Sequence, residues 1–282
     1  DLKILDLLWK KEKYISNNSS LYMKIPIYYL DAFTEELFSG NPAAVIFSDI
    51  EDSKLMQQIA TENNLSETAF INNSDNKYSI RWFAPGCEID LCGHATLASA
   101  YVYFQYINSG ATTFEVNSIK HKNLTVTKDK DLLYLNFPVD KLIEQNNYDE
   151  IEEMIGVRPI YICKGRDDYL AILKSQINVE NLNPDFMKLK YLDSRGLIVS
   201  AQGNDCDFVS RCFFPRTGVD EDPVTGSAHT SLAAYWAKTL AKNTLSAKQL
   251  SDRGGELSCE LKDNRVLIGG KVVEYMQGFI SL

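Results

Sequence analysis

The chain has 282 residues, 45% hydrophobic and 24% charged, with 29 Lys plus Arg against 38 Asp plus Glu and a formal charge of −9. This is the composition of a globular protein and not of a disordered or fibrous one. So acidic a chain lacks the clustered cations that grip a phosphate backbone, and no apolar run approaches the ~20 residues that cross a bilayer, which sets nucleic acid and membrane aside as expected partners.

In chain order, residues 1–22 read as foreign to the rest of the chain. They are Lys-rich, with a short apolar stretch from Ile4 to Trp9 that Asp6 interrupts. A secretory signal would need a longer, unbroken apolar core. Met23 followed by Lys24-Ile25-Pro26-Ile27-Tyr28 reads as a start running into a strand. Branched and aromatic residues predict strands over Ile25–Asp31, Ala43–Phe47 and Tyr78–Phe83, with Gly40-Asn41-Pro42 as turn chemistry between the first two. Leu55, Met56, Ile59 and Ala60 have helical spacing, with Asp52 or Ser53 as cap. Further strands follow at Thr113–Val116, Leu124–Val126 and Leu133–Phe137.

The second half repeats the style. A helix over Asp149–Ile155 precedes strands near Ile160–Cys163, Leu170–Leu173, Leu197–Ala201 and Asp207–Phe213. A helix from about Ser227 to Leu240 comes next, then strands near Gly255–Leu261, Val266–Gly269 and Lys271–Phe279. Many strands and few helices predict an α+β fold. The expected domains are 23–127, completed by the C-terminal strand 270–282, and 128–269.

An internal echo sharpens this picture. Asp90-Leu91-Cys92-Gly93-His94-Ala95-Thr96 and Asp222-Pro223-Val224-Thr225-Gly226-Ser227-Ala228 each run from an acidic loop through Gly into an Ala-rich helix. Such a start offers unpaired amides and the positive end of the helix dipole, a fit for a carboxylate. Taken singly, Gly93 and Gly226 also read as ordinary helix-start glycines, and the pair leaves both readings open. Glu67, in Leu65-Ser66-Glu67-Thr68-Ala69-Phe70, has small hydroxyl and apolar neighbours. Burial there would suit it to give and take a proton, while its local context alone equally describes a solvent-facing loop residue. Asp222 near a histidine such as His94 would orient the ring. Cys92, beside Gly93, is a candidate thiolate base, but its counterpart Thr225 cannot serve as a second one. His94, His121 and His229 are scattered, and the cysteines (Cys87, Cys92, Cys163, Cys206, Cys212, Cys259) form no Cys-x-x-Cys. No metal is expected, and a reduced, cytoplasmic protein is.

Taken in order, Asp31-Ala32-Phe33, Gly40-Asn41-Pro42-Ala43-Ala44-Val45, Ser66-Glu67-Thr68-Ala69-Phe70, Trp82-Phe83-Ala84-Pro85 and the two glycine blocks resemble the PhzF-like (phenazine biosynthesis) isomerases, from about Met23 to the C-terminus. The resemblance implies a diaminopimelate-epimerase-like fold: two similar domains, each a rolled, mostly antiparallel sheet around a central helix, with the active site between them. It also implies a homodimer without cofactor. In the family's phenazine enzyme a Glu moves a proton within dihydro-hydroxyanthranilate, and that residue maps onto Glu67. Its companions map onto His94, Asp222 and Ser227, with Gly93 and Gly226 as backbone donors to a small carboxylated metabolite. Alternatives are an amino-acid racemase or epimerase using Cys92 with Glu67, and a non-catalytic protein that binds a carboxylate.

Overall fold

The computed structural model describes residues 13–15, 21–74, 77–120 and 122–282. The chain forms two compact units. The first comprises the chain up to Leu37, Pro42–Leu133 and Lys271–Leu282; the second comprises Phe38–Asn41 and Tyr134–Gly270. Apart from the short strand β1 (Lys13–Ile15), the expected N-terminal extension up to residue 20 lies outside the described residues.

The first unit begins with β1, antiparallel to β2 (Leu21–Ala32), then β3 (Asn41–Phe47), α1 (Ser53–Asn63), β4 (Glu67–Ser74), β5 (Lys77–Phe83), β6 (Glu88–Ile89), α2 (Gly93–Val102), β7 (Thr113–Ser118) and β8 (Lys122–Asp129). Strand β3 pairs in parallel with β4, β4 antiparallel with β5, β5 in parallel with β7, and β7 antiparallel with β8. The sequence pattern explains the helices. Asp52 caps α1, accepting from the Lys54 amide at 2.9 Å, and Met56, Ile59 and Ala60 turn inward onto Ile25, Ile27, Ala44 and Ile46. Helix α2 has no polar face: His94 through Ala100 and Val102 are all buried, which marks it as the helix at the centre of its sheet. It widens into a π-helical turn at Tyr103–Ile107.

The second unit contains β9 (Leu132–Pro138, shared at its first residues with the first unit), β10 (Ile143–Glu144), α3 (Tyr148–Ile155), β11 (Tyr161–Lys164), β12 (Asp168–Ile172), α4 (Gln176–Glu180), α5 (Phe186–Leu189), β13 (Gly196–Gln202), β14 (Phe208–Phe214), β15 (Val219–Asp222), α6 (His229–Leu240), β16 (Thr244–Gln249), β17 (Gly255–Lys262) and β18 (Arg265–Gly270). Here β12 pairs in parallel with β13, β13 antiparallel with β14, β14 in parallel with β16, and β16 antiparallel with β17. The order of senses is the one found in the first unit. In each, a short strand and then a helix separate the second parallel pair: β6 and α2 in one, β15 and α6 in the other. The echo seen between the glycine blocks is therefore a repeat of topology. The second unit's core gathers Ile151, Ile155, Leu197, Val199, Val209 and Phe213.

The chain returns to the first unit in β19 (Val272–Ser281), antiparallel to β2 from Val272 opposite Ala32 to Ser281 opposite Lys24. The fold is α+β, dominated by mixed sheet with few helices. No helix among the described residues is long and apolar enough to cross a membrane.

Candidate active site

Glu67 is the first residue of β4, and the parallel register sets it beside Ala43 of β3. A chain of hydrogen bonds steadies this corner. The Tyr29 hydroxyl donates to Asn63 Oδ1 at 2.8 Å, and Asn63 Nδ2 donates to Thr68 Oγ1 at 3.0 Å, next to Glu67. At the start of α2, Thr96 Oγ1 and its amide both bond the Cys92 carbonyl, at 2.5 and 3.2 Å, locking the first turn. That turn sends the His94 ring to Glu67: Nε2 lies 2.9 Å from Glu67 Oε2, with His94 7% and Glu67 17% exposed at the side chain. Oε2 is buried and makes no well-aligned hydrogen bond, so the contact is a close charge pair with unspent acceptor capacity. Oε1 is the carboxylate oxygen left open to solvent. Cys92 Sγ lies 3.5 Å from His94 Nδ1 and 3.9 Å from Nε2, against the face of the ring.

Burial works against a charge on His94, but Cys92 and Glu67 beside it favour the charge and prevail, so its pKa is held well above the usual histidine range. Burial, with Glu67 adding to it, pushes the Cys92 thiol up to about 11. At neutral pH Cys92 is therefore a thiol. One donor atom each from Glu67, Cys92 and His94 fall within 4.8 Å of one another.

The second unit holds the other expected residues. Asp222 ends β15 and accepts from Asn41 Nδ2 at 2.9 Å and from Thr225 Oγ1 at 2.5 Å. The same Asn41 Nδ2 bonds the Val224 carbonyl at 2.9 Å. Gln249, fully buried, accepts from the Thr225 amide at 2.8 Å and donates to the Asp222 carbonyl at 2.8 Å and to Thr225 Oγ1 at 3.2 Å. This network fixes the loop that leads into α6. The helix begins at His229, two residues later than the sequence suggested, because Gly226–Ala228 form a tight lead-in turn with His229 N to Gly226 O at 3.1 Å and Thr230 N to Ser227 O at 3.1 Å. Among the described residues nothing accepts from the amides of Gly226 and Ser227, or from those of Gly93 and His94.

Glu67, Cys92, Gly93 and His94 thus assemble in the first unit, and Asp222, Thr225, Gly226 and Ser227 in the second. Sequence reasoning missed Asn41, Gln249 and Arg195. Asn41 carried a signal that points elsewhere, since Gly-Asn-Pro reads as a turn. Arg195 reaches the Ser227 hydroxyl at 3.3 Å.

The family model described as phenazine biosynthesis-like protein matches residues 30–278. The chain is 42% identical to an uncharacterized isomerase of Halalkalibacterium halodurans, covering 92% of this chain and 100% of the relative. An uncharacterized isomerase of Pseudomonas aeruginosa is 45% identical, with the same coverage. The crystal structure of a PhzF-family phenazine biosynthesis protein from Enterococcus faecalis superposes with a TM-score of 0.87 at 46% identity, over 92% of this chain and 100% of that one. With the repeated sheet topology, the buried Glu67–His94 pair and these relatives together, the chain belongs to the PhzF-like isomerase family.

Proposed function

We propose that the chain is a cofactor-independent isomerase that moves a proton from one carbon to another within a small carboxylated metabolite, with Glu67 as the acid and base. The observation that carries this reading is the Glu67–His94 pair: Oε2 is sealed against a buried imidazole at 2.9 Å while Oε1 stays open. The His94 ring behind Oε2 leaves Oε1 as the oxygen that takes a proton from carbon. It also holds the carboxyl in one orientation, so the same oxygen returns the proton elsewhere on the substrate. His94 and Asp222 assist proton handling. The open amides of Gly93 and Gly226, with Ser227, hold the substrate. The resemblance to the phenazine enzyme favours a ring acid such as dihydro-hydroxyanthranilate, a homodimer and a cytoplasmic setting.

The test is incubation in heavy water with dihydro-hydroxyanthranilate and a panel of amino and hydroxy acids. Deuterium uptake into one compound, lost in Glu67→Gln, is the expected result. Uptake that survives Glu67→Gln would remove Glu67 from its role. A second reading, racemisation through Cys92, draws on the 3.5 Å approach of Sγ to His94 Nδ1, and loss of exchange in Cys92→Ser alone would favour it. The thiol's upward shift to about 11 argues against that base at neutral pH.

A further inference from the structure

Arg195 stands immediately before β13, and its guanidinium is built into the second unit. Nε donates to Asp168 Oδ1 at 2.9 Å and Nη2 to Asp168 Oδ2, so one edge of the fork is spent on a carboxylate that is only 5% exposed. The Cζ atom lies 4.9 Å from the centroid of the Phe214 ring, which supports the plane from one face. The second Nη2 hydrogen goes to Ser227 Oγ at 3.3 Å. Ser227 therefore accepts from Arg195 and, among the described residues, gives its own hydroxyl proton to nothing. Nη1 likewise has no acceptor among them, and the side chain remains 36% exposed. The result is a rigidly held cation whose outer edge, next to a hydroxyl with a proton to give and the open amides of Gly226 and Ser227, lacks an anion.

A purely structural arginine would need only the edge that faces Asp168. The Ser227 contact and the idle Nη1 are surplus to that role. They also match a planar acceptor: one carboxylate oxygen can take Nη1 while the other takes the Ser227 hydroxyl or the amide beside it. Asp168 cancels the net charge but not the directed N–H bonds, which are fixed in place before any ligand arrives.

We propose that Arg195, together with Ser227, is the carboxylate-recognition residue of this protein, and that its substrates are planar carboxylates held through Nη1. This rests on the reading of the chain as an isomerase of small carboxylated metabolites and assigns the group that reads the acid.

The experiment is calorimetric titration of 3-hydroxyanthranilate and of 2-aminophenol, the same ring without its carboxylate, against wild type, Arg195→Lys and Ser227→Ala. Lysine still pairs with Asp168 but offers no second edge. Wild type is expected to prefer the acid. Arg195→Lys should lose about tenfold or more of its affinity for the acid and none for 2-aminophenol, with Ser227→Ala losing less. A wild-type protein with no preference for the acid, or an Arg195→Lys variant that keeps the preference, overturns the proposal. Should the lysine variant unfold, Arg195→Gln with Asp168→Asn removes both charges together and is titrated in its place, with thermal unfolding as the check. Deuterium exchange by Glu67 is scored separately. Loss of the acid preference in Arg195→Lys without any proton exchange would uphold the carboxylate site and reject the isomerase reading.

Discussion

Asn41 and Asp222 lie 181 positions apart in the chain and are joined by a 2.9 Å hydrogen bond from Nδ2 to Oδ1. The same amide group also bonds the Val224 carbonyl, so a single fully buried side chain holds both the carboxylate and the loop after it. Removing it strands the buried Val224 carbonyl and takes one donor from the half-buried Asp222 carboxylate. Asn41→Ala should therefore cost about 1–3 kcal/mol, the range for one buried group left unsatisfied. Chemical denaturation measures this, and a loss below about 0.5 kcal/mol would show that the clamp is dispensable.

Glu67→Gln keeps the side-chain volume and gives His94 a neutral partner. Turnover should fall by about a hundredfold or more, the range of general acid–base catalysis, with the fold retained. The imidazolium also loses the carboxylate that sustains its charge, so the His94 pKa should drop in the same variant, read by the shift of its ring carbons in NMR.

The histidines should titrate in opposite senses. His229 is fully buried, with Nδ1 2.8 Å from the Thr225 carbonyl, and burial lowers its pKa to about 4. Between pH 6.5 and about 4 the unfolded chain takes up a proton that the folded one refuses, so stability falls across that window as pH falls, by about 3 kcal/mol from this residue. His229→Gln should flatten that part of the profile. His94 has its pKa raised, so its contribution is full below pH 6.5 and is lost as pH rises through its folded value. A denaturation series from pH 4 to 8 separates the two, and an unchanged low-pH slope in His229→Gln would refute the assignment.

Gly196 follows Arg195 at the start of β13. A Cβ there would stand 2.3 Å from the Phe213 carbonyl oxygen and 2.3 Å from the Phe214 ring. The backbone oxygen cannot move cheaply, so Gly196→Ala should cost about 1–3 kcal/mol and disturb the ring under the Arg195 guanidinium. A melting temperature within a degree of wild type would contradict this.

Glu67 and His94 were singled out together only through the family resemblance, since local context alone described Glu67 equally as a solvent-facing loop residue; the 2.9 Å contact between them is made across 27 positions of chain and has no local signal. The α+β class was legible from the density of strand-like segments. What stayed hidden depends on distance. Arg195 acts on Asp168 and Ser227, 27 and 32 positions away, and Ser-Arg-Gly has no local pattern that marks a built-in cation. Gln249 ends β16, whose buried positions are Leu245, Ala247 and Gln249, too weakly apolar to announce a strand. Asn41 read as turn chemistry because backbone preference speaks louder than a side-chain bond made to a residue far along the chain.

The last strand, β19, supplies the antiparallel partner of β2, and β2 carries Tyr29, whose hydroxyl reaches through Asn63 to Thr68 beside Glu67. During synthesis, then, the frame behind Glu67 stays incomplete until Val272–Ser281 have left the ribosome. A chain cut short near residue 270 keeps every proposed catalytic side chain yet lacks the strand that completes the sheet behind Glu67.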